Sequence, residues 1–151
     1  MKKLLVVLAL VLSSQSAWAA CSISAQPTSF GNYNPLSITP LDAAGQVAVN
    51  CSFLVSLLTT YTVKLSTGSS GTYSPRQMQS GANTLSYNLY LDALRLLTWG
   101  NGSAGTSFAT NTQLIGIGGF SQSYPVYGRI PAQQNIAPAT YSDTITVTLD
   151  Y

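Results

Sequence analysis

The chain has no histidine and no glutamate, and only 7% of its 151 residues are charged. Without histidine, the usual Ser-His-Asp and Cys-His nucleophile systems are out of reach. Zinc sites built on His or on paired Glu are excluded as well, and two cysteines alone do not make a structural zinc centre. All four acidic residues are aspartates: Asp42, Asp92, Asp143 and Asp150. A glycosidase needs two facing carboxyls; Asp92 with Asp143 is the pair that folding would have to bring together, and no local motif supports it. Gly116-Ile117-Gly118-Gly119 lacks the lysine and following helix of a phosphate loop, so it reads as a turn. No cofactor or metal is expected.

Long apolar runs are also scarce. The longest, residues 4–12, is too short to span a bilayer. It follows Lys2 and Lys3 and precedes Ala17-Trp18-Ala19. A basic start, a short apolar stretch and a small-x-small triplet form the layout of a secretory signal peptide. Residues 1–19 are therefore expected to be removed after Ala19, leaving one domain over residues 20–151. Lipidation at Cys21 is the competing reading, but Trp18 stands where a lipoprotein signal carries an aliphatic residue. The formal charge of +2 belongs to the leader. In the remainder Lys64, Arg76, Arg95 and Arg129 balance the four aspartates. A neutral chain has no basic surface for a phosphate backbone, so nucleic acid is not an expected partner.

Cys21 and Cys51 are the two cysteines. In an exported chain they are expected to pair, the alternative being two buried thiols.

Alternation of period two runs through what remains. Ile145, Val147, Leu149 and Tyr151 share one face of residues 144–151, with Thr144, Thr146, Thr148 and Asp150 on the other. Val47, Val49, Cys51 and Phe53 form a second such face. Tyr61, Val63 and Leu65 form a third, and Leu85, Tyr87, Leu89 and Leu91 a fourth. A further strand is expected around residues 127–130, bounded by Pro125 and Pro131. Turn residues gather at 67–71, 81–83, 100–105 and 116–119. Residues 91–99 have some helical spacing, but they read better as a strand end, a bend and another short strand. The nine tyrosines mostly alternate into strands, which favours core packing over a sugar-binding surface. About seven strands separated by turns predict an all-β antiparallel sandwich.

Several segments taken together resemble the spore coat protein U family, found also among subunits of archaic chaperone–usher pili. They are Cys21, Phe30-Gly31-Asn32-Tyr33-Asn34-Pro35, Val49-Asn50-Cys51, Tyr61-Thr62-Val63-Lys64-Leu65-Ser66-Thr67-Gly68 and Arg76-Gln77-Met78. Further along come Leu85-Ser86-Tyr87-Asn88-Leu89-Tyr90-Leu91-Asp92, Trp99-Gly100-Asn101-Gly102, Val126-Tyr127-Gly128-Arg129-Ile130 and Tyr141-Ser142-Asp143-Thr144-Ile145-Thr146-Val147. The resemblance implies an immunoglobulin-like sandwich lacking its last strand. Its groove would be filled first by a periplasmic chaperone and then, at an usher, by a neighbouring subunit, through β-strand addition. Ile145, Val147, Leu149 and Tyr151 would then form the receiving edge. The alternative is a complete sandwich in which Tyr151 merely ends an edge strand.

Only Ala20 separates the expected cleavage point from Cys21, whereas shaft subunits carry a donor segment there. The expectation is therefore a terminal or non-fibre role. Two apolar clusters fall where loops are expected: Leu54, Val55, Leu57 and Leu58 within residues 53–58, and Leu94, Leu96 and Leu97. Each is either an exposed adhesive patch or a cover folded back over an open sandwich end. The leading functional expectation is an exported structural or adhesive subunit of a cell-surface fibre or coat. The alternatives are a self-standing secreted coat or matrix protein and, from another class, a small carbohydrate-active enzyme.

Overall fold

A computed structural model describes residues 20–52, 56–116 and 118–151, with side chains undescribed at 56–59 and 114–116. The expected leader, together with Phe53, Leu54 and Val55, lies outside the described residues. Leu57 and Leu58 fall within a strand, and their side chains are likewise outside the description.

Eight strands are found among the described residues: β1 (Ala20–Gln26), β2 (Leu41–Ser52), β3 (Ser56–Leu65), β4 (Arg76–Ser80), β5 (Asn83–Tyr90), β6 (Ala109–Gly116), β7 (Phe120–Ile130) and β8 (Val147–Asp150). They form two sheets, one of five strands in the order β1-β2-β7-β5-β4 and one of three in the order β6-β3-β8. Every ladder between these strands is antiparallel. The fold class expected from alternation is thus the one observed.

The alternating faces point as the pattern requires. Val47, Val49 and Cys51 of β2, Tyr61, Val63 and Leu65 of β3, and Leu85, Tyr87 and Leu89 of β5 are all buried. Alternate residues on each strand of a sandwich face the opposite sheet, so these three runs supply most of the shared core. Tyr61, Phe120, Tyr124 and Trp99 add an aromatic cluster, with Tyr61 stacked on Phe120 at 5.4 Å and Trp99 edge-on to Tyr124 at 6.3 Å. The fully buried Trp99 keeps its indole N–H satisfied by the Val63 carbonyl at 3.0 Å.

Some boundaries differ from expectation. β7 starts at Phe120 and passes through Pro125, which was expected to bound it. The β5 ladder on one side of β7 ends at the Tyr90–Tyr127 pair, while β2 continues on the other side past Pro125. Proline is tolerated where a strand has one neighbour only, because its missing N–H breaks no ladder. β8 begins at Val147 rather than Thr144; residue 146 meets the end of β3 through a bond from the Ser66 N–H to the Thr146 carbonyl at 3.0 Å. Residues 91–99 form a bend, not a helix. Asp92 Oδ1 accepts the Leu96 and Leu97 N–H groups at 3.0 and 2.8 Å, and Thr98 then bridges to Tyr90.

Cys21 and Cys51 sit directly opposite each other in the β1–β2 register, with Cα atoms 4.0 Å apart, and they are disulfide-bonded. The bridge fastens the outermost strand of the large sheet to its neighbour.

Candidate functional site

The two sheets differ in width. Strands in a sheet are spaced by about 4.8 Å, so a three-stranded layer is roughly 10 Å narrower than a five-stranded one. Part of the inner face of the larger sheet is therefore left without a strand above it, and beside β8 the structure has a trough of about 990 Å³. Its floor is formed by core residues including Val47, Met78, Leu85, Tyr87, Val126 and Ile130.

One wall is the chain leaving β1. Thr28 crosses close to Gly45 and Phe30 lies on Gly128, where a Cβ would stand 2.6 Å from the Phe30 ring. A glycine is required there because the backbone of β7 and the ring approach closely. Phe30 also meets Tyr87 edge-on, with ring centroids 6.1 Å apart. Tyr33 holds the far end of this wall: its hydroxyl donates to the Pro131 carbonyl at 2.9 Å and accepts the Gln134 N–H at 2.7 Å.

The other wall is residues 136–147. Ile136, Tyr141, Ile145 and Val147 are half-buried against the core from this side. Ser142 pairs with Gln79 on the outer edge of β4, through bonds of 2.8 and 3.1 Å. The next residue, Asp143, fixes the turn into β8. Its carboxylate accepts from the Ser69 N–H at 2.9 Å, the Ser69 hydroxyl, the Thr144 N–H at 2.8 Å and the Tyr87 hydroxyl at 2.6 Å. Gly68 allows this approach, since a side chain there would collide with the carboxylate. Burial pushes the Asp143 carboxyl upward, but the donors from Ser69, Tyr87 and Thr144 outweigh it and hold it below the usual range. Burial and the adjoining carboxylate push the Tyr87 phenol far above its ordinary value, so it stays a donor.

Arg76 lies next to this floor, fully buried. Its guanidinium donates to the Ser66 carbonyl at 3.0 and 2.8 Å, the Trp99 carbonyl at 2.6 Å and Asn88 Oδ1 at 2.8 Å. Burial lowers its pKa. These bonds tie β4 to the end of β3 and so join the two sheets at the trough.

β8 is the last strand of its sheet, paired to β3 through Leu65–Val147, Lys64–Thr148, Val63–Leu149 and Thr62–Asp150. Its outer edge has no ladder partner among the described residues. Of the residues expected on a receiving edge, Ile145 and Val147 line the trough, Leu149 packs against the core farther along, and Tyr151 lies past the end of β8, 61% exposed and not part of the lining. The walls at Phe30, Tyr33, Ile136 and Tyr141 carried no periodic signal. They belong to irregular segments whose partners are distant in sequence.

Of the two carboxylates considered for a dyad, Asp143 accepts from Ser69, Tyr87 and Thr144, and Asp92 from the bend at Leu96 and Leu97. That bend displays the expected second apolar cluster, with Leu94 and Leu96 each 76% and Leu97 50% exposed. Leu36 and Ile38, on the loop before β2, are more exposed still, at 87% and 82%. Arg95 ties the bend to the start of β2 by an ion pair to Asp42 at 3.2 Å, and Asp42 is itself held by Arg129 at 2.7 Å. No helix among the described residues is long and apolar enough to cross a membrane.

The chain matches the family model of the Spore Coat Protein U domain over residues 7–148. It is 32% identical over 145 residues to Protein U of Myxococcus xanthus, covering 87% of this chain and 78% of that protein. Among solved structures it resembles a chain of the CsuC–CsuE chaperone–tip adhesion subunit pre-assembly complex, from archaic chaperone-usher Csu pili of Acinetobacter baumannii. The TM-score is 0.59 and the identity 24%, over 89% of this chain and 40% of that one. The shared feature is the immunoglobulin-like sandwich; this chain spans less than half the length of its structural counterpart.

Proposed function

The chain belongs to the Spore Coat Protein U domain family, and from that membership we propose that it is an exported, non-enzymatic subunit of a cell-surface fibre or coat whose sandwich is completed by a strand from another chain. The observation that carries this reading is the apolar trough bordered by the unpaired edge of β8. An edge strand next to an apolar trough offers both halves of β-strand addition: main-chain groups for affinity and pockets for alternate side chains. Left open, the same edge is an aggregation hazard. A periplasmic chaperone is the first occupant in this scheme. A neighbouring subunit delivered at an usher is the second. Residues 1–19 act as the export signal, and the destination is the cell surface. Leu94, Leu96 and Leu97, held outward by Asp92, supply an adhesive surface.

The test is a synthetic peptide of alternating apolar and polar residues, compared with a scrambled peptide of the same composition that lacks the alternation. The alternating peptide is expected to bind and to raise the melting temperature by several degrees. That matches about 2.7 kcal/mol of stabilisation at a hundredfold excess over Kd. Replacing both Ile145 and Val147 by Ser should weaken capture by tenfold or more, since each loses buried apolar contact worth about 1.5 kcal/mol or more. Equal effects of the two peptides, or none from either, would remove the proposal. The second reading, a self-standing coat protein, is favoured by the 32% identity to Protein U; it predicts a stable monomer, expressed without a chaperone, that ignores both peptides.

A further inference from the structure

β8 and the two residues before it alternate between two sites. Ile145 and Val147 face the apolar trough, while Thr146, Thr148 and Asp150 face a second groove, of about 850 Å³, on the opposite side of the strand. This groove lies over the outer face of the small sheet, between the loop at Gly71–Ser74 and the loop at Asn101–Ala104. We propose that it is a binding site for a neutral saccharide, a role that does not depend on strand addition.

The argument is chemical. The charged side chains in the lining are Lys64 and Asp150, which neutralise one another at 2.7 Å, so the groove has no net charge to select an ion. Its other polar groups are hydroxyls and amides. Among the described residues the Thr146 and Thr148 hydroxyls have no hydrogen-bond partner. Asn101 uses its carbonyl oxygen for the Ser103 N–H and hydroxyl, at 3.0 and 2.6 Å, and among the described residues its amide N–H₂ has no partner. The Lys64 ammonium uses one of its three protons on Asp150, whose Oδ1 remains open. A cluster of donors and acceptors without net charge matches a ligand that carries many hydroxyls and no charge.

An apolar platform stands beside it. Just outside the lining, the Lys64 ammonium stands over the Phe108 ring, 5.5 Å from its centroid, and the ring packs over Gly102, which lies between two groove residues, Asn101 and Ser103. Gly102 has φ of +89° and leaves no room for a side chain under the ring. Phe108 remains 37% exposed. A pyranose presents C–H groups as well as hydroxyl edges, and the exposed part of the ring offers the former an apolar contact next to the polar lining. Because the groove and the trough lie on opposite faces of β8, a strand filling the trough leaves the groove accessible.

The experiment is amide NMR of the exported protein titrated separately with cellotriose, maltotriose, mannotriose and chitotriose, and with inorganic phosphate as the charged control. Saturable shifts at Thr146, Thr148 and Asn101 are expected with at least one trisaccharide, and none at those amides with phosphate. Thr148→Val keeps the strand shape and Asn101→Ala changes an exposed loop; each should weaken the response at least fivefold with the melting temperature unchanged. Ile145→Ser on the opposite face should leave it intact, which separates this site from the trough. Absence of saturable shifts with all four sugars, equal shifts with phosphate, or undiminished binding in both groove variants would overturn the proposal.

Discussion

β2 and β8 both lend a face to the core, yet they are held in opposite ways. β2 is twelve residues long, paired along its length to β7 and, through Gln46–Ser52, to β1, and the Cys21–Cys51 bridge fastens it. β8 is four residues long, paired on one side only among the described residues, and its approach is fixed by the side chains meeting at Asp143 and by a few isolated main-chain bonds at Ser142 and Thr146. Main-chain ladders make a strand insensitive to any one substitution, whereas a strand positioned by side chains depends on a few of them. The large sheet is therefore the scaffold, and the small sheet beside the trough is the part whose geometry individual residues control.

The largest expected effect tests the joint between the two regions. Arg76→Leu leaves the Ser66 and Trp99 carbonyls and Asn88 without their donors in a buried site. A loss of about 3–5 kcal/mol in chemical denaturation is expected, since each orphaned buried group costs about 1–3 kcal/mol. A loss below 1 kcal/mol would show that the sheets are joined by apolar packing alone. Next comes the scaffold itself. Cys21→Ser with Cys51→Ser opens a loop with a sequence separation of 30 residues and should cost about 3–4 kcal/mol by loop-closure reasoning. The same denaturation experiment measures the loss, and a loss below 1 kcal/mol would show that the bridge adds little to the β1–β2 ladder.

A pH titration then probes the β8 side. The Asp143 carboxyl titrates below its usual value when folded, so its contribution to stability is complete above the unfolded pKa of about 3.9 and is lost as pH falls through the lower folded pKa. Asp143→Asn should remove part of this acid-side slope while leaving the neutral-pH disulfide and β2 amide protection unchanged. An unaltered slope would mean that Asp143 does not control the approach to β8. The smallest effect is expected from Lys64→Met. The Lys64–Asp150 pair is partly exposed, and such pairs contribute about 0–1 kcal/mol.

The same contrast explains what could be read from the residues alone. The runs in β2, β3 and β5 alternate because each has one face in the core, and their inward residues were all legible. β1, β4 and β6 gave no such signal. β4 reads Arg76-Gln77-Met78-Gln79, with a buried arginine at an inward position, and β6 carries Thr110 and Thr112 outward on a sheet edge. One wall of the trough was legible in Ile145 and Val147, because it continues the alternation of β8. The other was not, because Phe30 and Tyr33 act through contacts with Gly128 and Pro131 that no local pattern encodes. Leu94, Leu96 and Leu97 are exposed on a bend whose Leu96 and Leu97 amides are capped by Asp92, a contact that no periodic pattern encodes.

The Cys21–Cys51 bridge has one more consequence. In a sandwich with a free margin, the polypeptide best placed to migrate into the vacancy is the molecule's own first strand. Here that strand is covalently pinned at a fixed pairing with β2, so under the proposed strand addition it is held back from slipping across to heal the gap itself.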